Sequence, residues 1–599
     1  MMKPISILSI AVCGACASSL SAASLAEYVG SDVEILLSAR SLAESYAEWE
    51  SNPVAEIYND ESVQKFIAAL DADESEDDEA ASDEFLAVME DEFGLNLDDF
   101  FELFPGQFAM GFYNLADVIL SENELTEVVT DGVLLAEFSG DADRMNELMQ
   151  IQFERNSKAQ KEVNPAVEHV MIEETFMGET LYMDETFDGE ETYIEDGYAL
   201  VDGIFVIATE ERLRLTVELI KESGDSIAKT VAYQRAIEQS GRGDLRVYCN
   251  LSAFFVPLNE RMLEEVMKGG LAMFGVTSQS IDAALSLESM QGMFAEFDLV
   301  DDGMLMHGGI IYSEKSGFLR LLTYTDEDLP TATYVSESVL TTSISSFDFS
   351  EMLAELEKIL ALASPSVPML LNIQLQQIKT NTGVDLRASI LENFSGDVVS
   401  LSVMKEASRD AAIPLAEQMY VMEIKDGQAL SEAMGALQDL VPGLRDIIET
   451  QEYEGETIHI VKGQSDPLLP DATVNDVSYV ITRSEFILNF GRIGLLQEVL
   501  TRMVNADSGF WQLESTEQLF ESIAQPNPVT RSYFDLEQMV KPMLESILFA
   551  SSMGGVGLGI DPSTIPSDLD VPLVLVSESN EASEGLFMRA LIMKREVAE

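Results

Sequence analysis

Basic residues, cysteines and histidines are all scarce in this chain, and each scarcity narrows the chemistry open to it. Lysine and arginine number 34 against 107 acids, a formal charge of -73 over 599 residues. A surface so covered with carboxylates repels phosphate backbones and anionic headgroups, which disfavours nucleic acid and electrostatically held membranes as partners. The plain reading of the charge is solubility in a medium salty enough to screen self-repulsion. Of the three cysteines, Cys13 and Cys16 lie in the N-terminal leader and Cys249 stands alone. A single thiol makes neither an intrachain disulfide nor a thiolate metal site, and in the apolar stretch R-V-Y-C-N-L it reads as a buried structural cysteine. His169, His307 and His459 are far apart, each in a strand-like run, so no H-x-H or H-E-x-x-H pair exists.

Other motifs are missing too. There is no G-x-S-x-G elbow, no G-x-x-x-x-G-K phosphate loop and no G-x-G-x-x-G after a strand. The acid pairs Glu173-Glu174, Glu190-Glu191 and Asp301-Asp302 are not ready-made dyads, because neighbours on a strand point to opposite faces. No residue is assigned a catalytic, cofactor-binding or metal role from the sequence.

The opening residues M-M-K-P-I-S-I-L-S-I-A-V-C-G-A-C-A-S-S-L-S-A-A-S have Lys3, an apolar run from Ile5 to Val12, and small residues at Ser21 and Ala23. That is the layout of a secretory signal peptide covering 1-23, so the chain is expected to be exported, to the periplasm or beyond. The residues before Cys13 and Cys16 fit a lipoprotein anchor poorly. No later run is long enough to span a bilayer; the nearest, 547-560, is short and glycine-laden and reads as a helix end and loop.

The rest of the chain repeats itself. F-G-L-N-L-D-D-F-F-E-L-F-P-G (93-106) is echoed by T-G-V-D-L-R-A-S-I-L-E-N-F-S-G (382-396), with one residue added in the second copy. F-M-G-E-T-L-Y-M (176-183) is echoed by Y-E-G-E-T-I-H-I (453-460), V-Y-C-N-L (247-251) by S-Y-F-D-L (532-536), and F-G-V-T-S-Q-S-I (274-281) by L-G-I-D-P-S-T-I (558-565). Gly94 and Gly383 lie 289 apart, Gly178 and Gly455 277, Tyr248 and Tyr533 285, Gly275 and Gly559 284. Four echoes in one order at nearly constant spacing describe a tandem duplication, 27-325 and 326-599. The stretch 71-84, with nine acids in fourteen residues, has no echo and reads as a mobile surface insert. It begins like a calcium loop but has Glu76 and Ser82 where that loop needs Gly and Glu.

Within one unit, V-E-I-L-L-S-A suits a strand, and S-L-A-E-S-Y-A-E-W-E suits an amphipathic helix. The helical run F-L-A-V-M-E-D-E-F ends at Gly94, and Asp141 is placed to cap a helix over D-A-D-R-M-N-E-L-M-Q-I-Q-F. Short alternating runs punctuated by Gly178, Gly189 and Gly203 read as an antiparallel meander, and Asp302-Gly303 as a closing hairpin turn. The fold class expected is α+β: two tandem homologous units, each a curved, mostly antiparallel sheet with helices packed on one face. The methionines, Met267, Met273 and Met293 among them, suit packing or an apolar groove.

These repeated phrases, G-L-N-L or G-V-D-L leading to F-x-G, then G-E-T, then Y-x-N-L or Y-x-D-L, resemble the exported bacterial two-repeat family catalogued as domain of unknown function 3352. The resemblance implies no activity and no site residues. The function expected is that of an exported, non-enzymatic binding or structural protein holding a polypeptide, a lipid-like molecule or an envelope component in a groove. The alternative is a carboxylate-based hydrolase with its site between the repeats, and weak calcium binding by the acidic surface is a third reading.

Overall fold

A computed structural model describes residues 24-61, 63-64, 96-115, 131-187, 191-255, 277-325, 328-404, 417-440, 443, 445-462, 476-505, 508-539 and 571-595. The leader 1-23, the acidic stretch 71-84, Gly94, Gly189, Glu190, Met267, Met273 and the 547-560 run lie outside the described residues. The chain divides into two compact units, Met1–Met262 with Met290–Ser313, and Leu263–Ser289 with Glu314–Glu599.

The first unit contributes β1 (Ile35–Ala39), β2 (Phe108–Tyr113), β3 (Asp131–Glu137), β4 (Glu168–Phe176) and β5 (Glu179–Phe187). It continues with β6 (Thr192–Val201), β7 (Ile204–Ala208), β8 (Leu245–Cys249), β9 (Met290–Val300) and β10 (Gly303–Tyr312). Its pairings, all antiparallel, give the order β10-β9-β8-β1-β2-β3-β7-β6-β5-β4.

In the second unit lie β11 (Thr341–Ser346), β12 (Phe394–Val403), β13 (Glu417–Ile424), β14 (Ile448–Tyr453) and β15 (Glu456–Val461). β16 (Val477–Ile481), β17 (Glu485–Phe490), β18 (Pro528–Asp535), β19 (Leu573–Ala582) and β20 (Gly585–Lys594) complete it. The order is β20-β19-β18-β11-β12-β13-β17-β16-β15-β14, again antiparallel, which is the first order with ten added to every strand number. Antiparallel sheet with interspersed helices makes the chain α+β.

Local chemistry explains the elements. Asp141 accepts from Asp143 N at 3.0 Å and starts the Ala142–Val163 helix, which runs ten residues past the apolar stretch ending at Phe153. The β4-β5 hairpin turns on Met177 (φ 52°) and Gly178 (φ 89°), and the β14-β15 hairpin on Glu454 (φ 48°) and Gly455 (φ 88°). Two successive positive φ values make the two-residue turn whose twist matches a hairpin, and glycine takes the second position without Cβ strain.

The expectation of helices on one face is corrected here for the first unit. Met145 and Leu148 of the Ala142–Val163 helix pack with Leu103, Phe104, Ala136, Tyr198 and Phe205. Leu213, fully buried on the Glu210–Glu222 helix, approaches the sheet at Gly197, where an added Cβ would lie 3.1 Å from its Cδ2. Gly197 and Tyr198 are neighbours on β6 and point to opposite faces, so the two helices cover opposite sides. The physical reason is in β6 and β7: Tyr198, Ala199, Val201, Ile204, Phe205, Val206 and Ala208 are all buried, and consecutive burial needs cover on both faces.

Candidate functional site

Three places concentrate polar or unburied groups, and only one of them is open. The first is a knot of buried carboxylates in the first unit. Glu296 and Asp298, on β9, and Asp244 are essentially inaccessible. Arg246 of β8 lies opposite Glu296 and donates from Nε to Oε2 at 2.7 Å. The backbone N–H groups of Arg242, Gly243 and Asp244 donate to Asp298 at 2.9, 3.0 and 3.2 Å. Asp244 is held by Arg40 at 3.0 Å and Arg242 at 2.7 Å, and His307 Nε2 stands 3.7 Å from Asp298 Oδ2. Glu48 also pairs with Arg242 at 3.1 Å, so four carboxylates meet three guanidinium groups in a knot that fastens the 242-244 loop to β9. In the second unit Arg531 of β18 donates to the fully buried Glu578 of β19 at 2.5 Å, and Glu578 also accepts from Gln525 N at 2.8 Å. Sequence reasoning missed both pairs, although the signal was present as an arginine two residues before Tyr248 and before Tyr533.

The second place is His169, whose Nδ1 lies 3.1 Å from both Asp184 carboxylate oxygens and 2.9 Å from Thr186 Oγ1. Its Nε2 is buried without a hydrogen-bond partner. His459 is placed differently, stacked on Tyr479 with ring centroids 4.7 Å apart and planes 7° from parallel. Tyr182 and Tyr198 make the same stack in the first unit at 4.8 Å and 10°. A helix amide attends each stack: Asn146 Nδ2 donates to Tyr182 at 3.3 Å and Gln438 Nε2 to Tyr479 at 2.8 Å. Burial lowers the His459 pKa, against the pull of Glu452. A histidine kept neutral by the fold contributes fully above its ordinary pKa of about 6.5, and the contribution is lost as pH falls through the lowered value. His459→Tyr is therefore expected to reduce the loss of stability between pH 8 and pH 5, measured by urea unfolding against the wild type.

The other residues singled out in the sequence sit apart. Glu174 is paired bidentately with Arg214 at 2.7 Å, which holds its carboxyl below the usual range. Asp301 and Asp302 form the β9-β10 turn, and Met293 is an exposed β9 residue. Burial pushes the Cys249 thiol up to about 11, so almost no thiolate exists at neutral pH.

The third place is a helical hairpin in the second unit, Phe349–Ala363 followed by Ser366–Thr382. Asp348 caps the first helix through Glu351 N at 2.9 Å, and Gly383 (φ 78°) ends the second. At its root is an open recess of about 370 Å³. Ser350, Leu353, Ala354 and Glu357 line it from the first helix, with Arg387, Glu392 and Lys425 opposite. Arg387 pairs with Glu357 and with Glu392, the latter at 3.4 Å. Lys425 Nζ donates to Ser350 Oγ at 2.7 Å and to the Glu392 carbonyl at 2.8 Å. The charges of the lining are thus engaged with one another.

Arg387–Leu391 is a π-helical turn, closed by Glu392 N donating to the Arg387 carbonyl at 2.9 Å. Its counterpart in the repeated phrase, Leu97–Leu103, is an ordinary α-helix. Asn96 and Asp385 each accept from a backbone N–H three residues on and lie 289 apart, whereas Gly106 and Gly396 lie 290 apart. The added residue thus falls in the π turn, the usual way an α-helix absorbs one residue too many.

At the other end of the hairpin large apolar side chains face solvent. Seven of the twenty exposed large hydrophobic residues among the described residues lie between Leu356 and Ile373, so this is a patch rather than scatter. Leu362, Met369, Leu370 and Ile373 are each more than half exposed, and the Ser366–Thr382 helix buries no residue at all.

No family model matches the chain, and no curated protein is similar to it in sequence. Among solved structures, crystal forms IV, III and I of TP0453 are aligned with it. Their TM-scores are 0.22, 0.23 and 0.19 and their identities 12%, 13% and 10%. The alignments cover 43%, 45% and 45% of this chain and 79%, 82% and 95% of theirs.

Proposed function

We propose that the chain is an exported, non-enzymatic binding protein made of two copies of one curved antiparallel unit. Its partner, a polypeptide, a lipid-like molecule or an envelope component, is held by the 349-382 hairpin of the second copy. Export rests on the 1-23 leader, and kinship with the two-repeat family rests on the repeated phrases. The duplication is supported by the matching strand orders, the paired glycine turns, the recurring aromatic stacks and the recurring buried Arg-Glu pairs. A shared unit that keeps its buried fastenings while its surface diverges is what selection for two different surfaces would leave.

The observation that carries the binding reading is the unburied apolar patch from Leu356 to Ile373. Apolar surface left in water costs about 25 cal/mol per Å² relative to burial, so a helix with its leucines outward is held for what covers it. Native mass spectrometry of the protein recovered from the exported fraction tests this. A reproducible bound mass that is lost in Leu370→Glu is expected; a bare chain in every preparation contradicts it.

A further inference from the structure

We infer that the occupant of the hairpin tip is the apolar interior of a lipid surface with net-neutral headgroups, an inference that rests on the binding reading above. Two independent observations carry it, one of geometry and one of charge. On the Ser366–Thr382 helix the half-buried Leu375 and Ile378 mark the side turned toward the protein. Met369 stands nine residues from Ile378, half a turn away in projection at 100° per residue, and Ile373 is one turn from Met369. Met369 and Ile373 therefore point outward, Leu370 is exposed at the side of the helix about 80° round from Ile378, and Leu362 and Val367 flank them beside the Ser364–Pro365 turn. Apolar residues gathered at the outer end of a hairpin enter a lipid layer end on, without the amphipathic stripe that a helix lying flat requires.

The charge is the second observation. In a chain with 107 acids, none occurs between Glu357 and Asp385, and the only charges in that interval are Lys358 and Lys379. The patch thus gathers seven of the twenty exposed large hydrophobic residues among the described residues, and most of it lies in a gap in the carboxylate coat. Carboxylates near the tip would have to shed water on entering a bilayer, at a cost that grows with depth; their absence removes that cost. The remaining charge, close to the full -73, stays outside and repels anionic headgroups, so a neutral surface is favoured over an acidic one. A second copy of the chain is the weaker occupant, because docking would bring two strongly negative bodies together over a patch confined to one hairpin end.

Flotation of the purified full chain with phosphatidylcholine vesicles tests the inference. The wild type is expected to float with the vesicles, and to float less when phosphatidylglycerol is added at low salt. Met369→Glu and Ile373→Glu are each expected to lower the bound fraction about tenfold or more, since each removes one buried apolar anchor. Val504→Glu, at an exposed site outside the hairpin, is expected to float like the wild type. Because these side chains are unburied, circular dichroism of the variants should match the wild type, and Met369→Gln gives a milder change at the same site. Wild-type protein that stays at the bottom overturns the lipid inference. Concentration-dependent dimers abolished by the same variants overturn it in favour of a second copy. A bound mass still lost in Leu370→Glu, with no flotation, sinks the lipid inference and leaves the binding reading standing.

Discussion

Glu296→Ala is expected to destabilise the protein by about 3–5 kcal/mol, the usual result of leaving one half of a buried ion pair without its partner. Glu296 is fully buried, Arg246 donates to it from Nε at 2.7 Å, and Gly243 N adds a third-party bond at 3.0 Å. Removing the carboxylate strands a guanidinium whose side chain is 14% exposed and takes from Gly243 N one of its two acceptors, the other being Asp298. Glu578→Ala should act in the same direction, but less strongly, because Arg531 is 38% exposed and can recover water. The double variant Glu296→Met with Arg246→Met is expected to regain much of the loss, since apolar groups of similar volume leave nothing unpaired. Urea unfolding of the four proteins measures all of this. Equal stability of Glu296→Ala and wild type would show that the pair is not a fastening of the fold.

Leu213→Ala is expected to cost about 2–5 kcal/mol, the range for a leucine removed from a closed core. The size of the effect decides whether both faces of the first sheet are covered. Leu213 is fully buried against the Gly197 side, whereas Met145 and Leu148 pack on the Tyr198 side. If both are core faces, Leu213→Ala and Leu148→Ala should destabilise comparably. A sheet with one solvated face would give a loss below about 1 kcal/mol for Leu213→Ala, as at ordinary surface sites.

The sequence announces some of this fold through local chemistry that needs no tertiary context. Gly178 and Gly455 stand between strand-like runs, and a turn with two positive φ values has few other ways to be written. Asp141 before a helical period caps that helix, and the single extra residue at 382-396 announces a local distortion. That the distortion would be a π turn lining a recess depends on Glu357 and Lys425, which the sequence holds thirty or more positions from Arg387 or brings from another element. The two-faced cover was legible in principle: Y-A-L-V and I-F-V-I-A are continuous apolar runs, and alternation is the wrong template for them. The Arg246-Glu296 and Arg531-Glu578 pairs show the opposite case. A lone charge in an apolar strand says that a partner exists, but the register that supplies it is a long-range fact. The hairpin tip was hidden for a related reason: leucines and methionines at helical spacing look the same whether a core or solvent lies over them.

The outer end of the 349-382 hairpin is the proposed place of contact with a partner. A photo-crosslinking residue at position 370, compared with the same residue at the likewise exposed position 504, tests this in cells that produce the protein. Irradiation is expected to yield a defined adduct from position 370 and none from 504. No adduct from 370, or the same products from both positions, would contradict it.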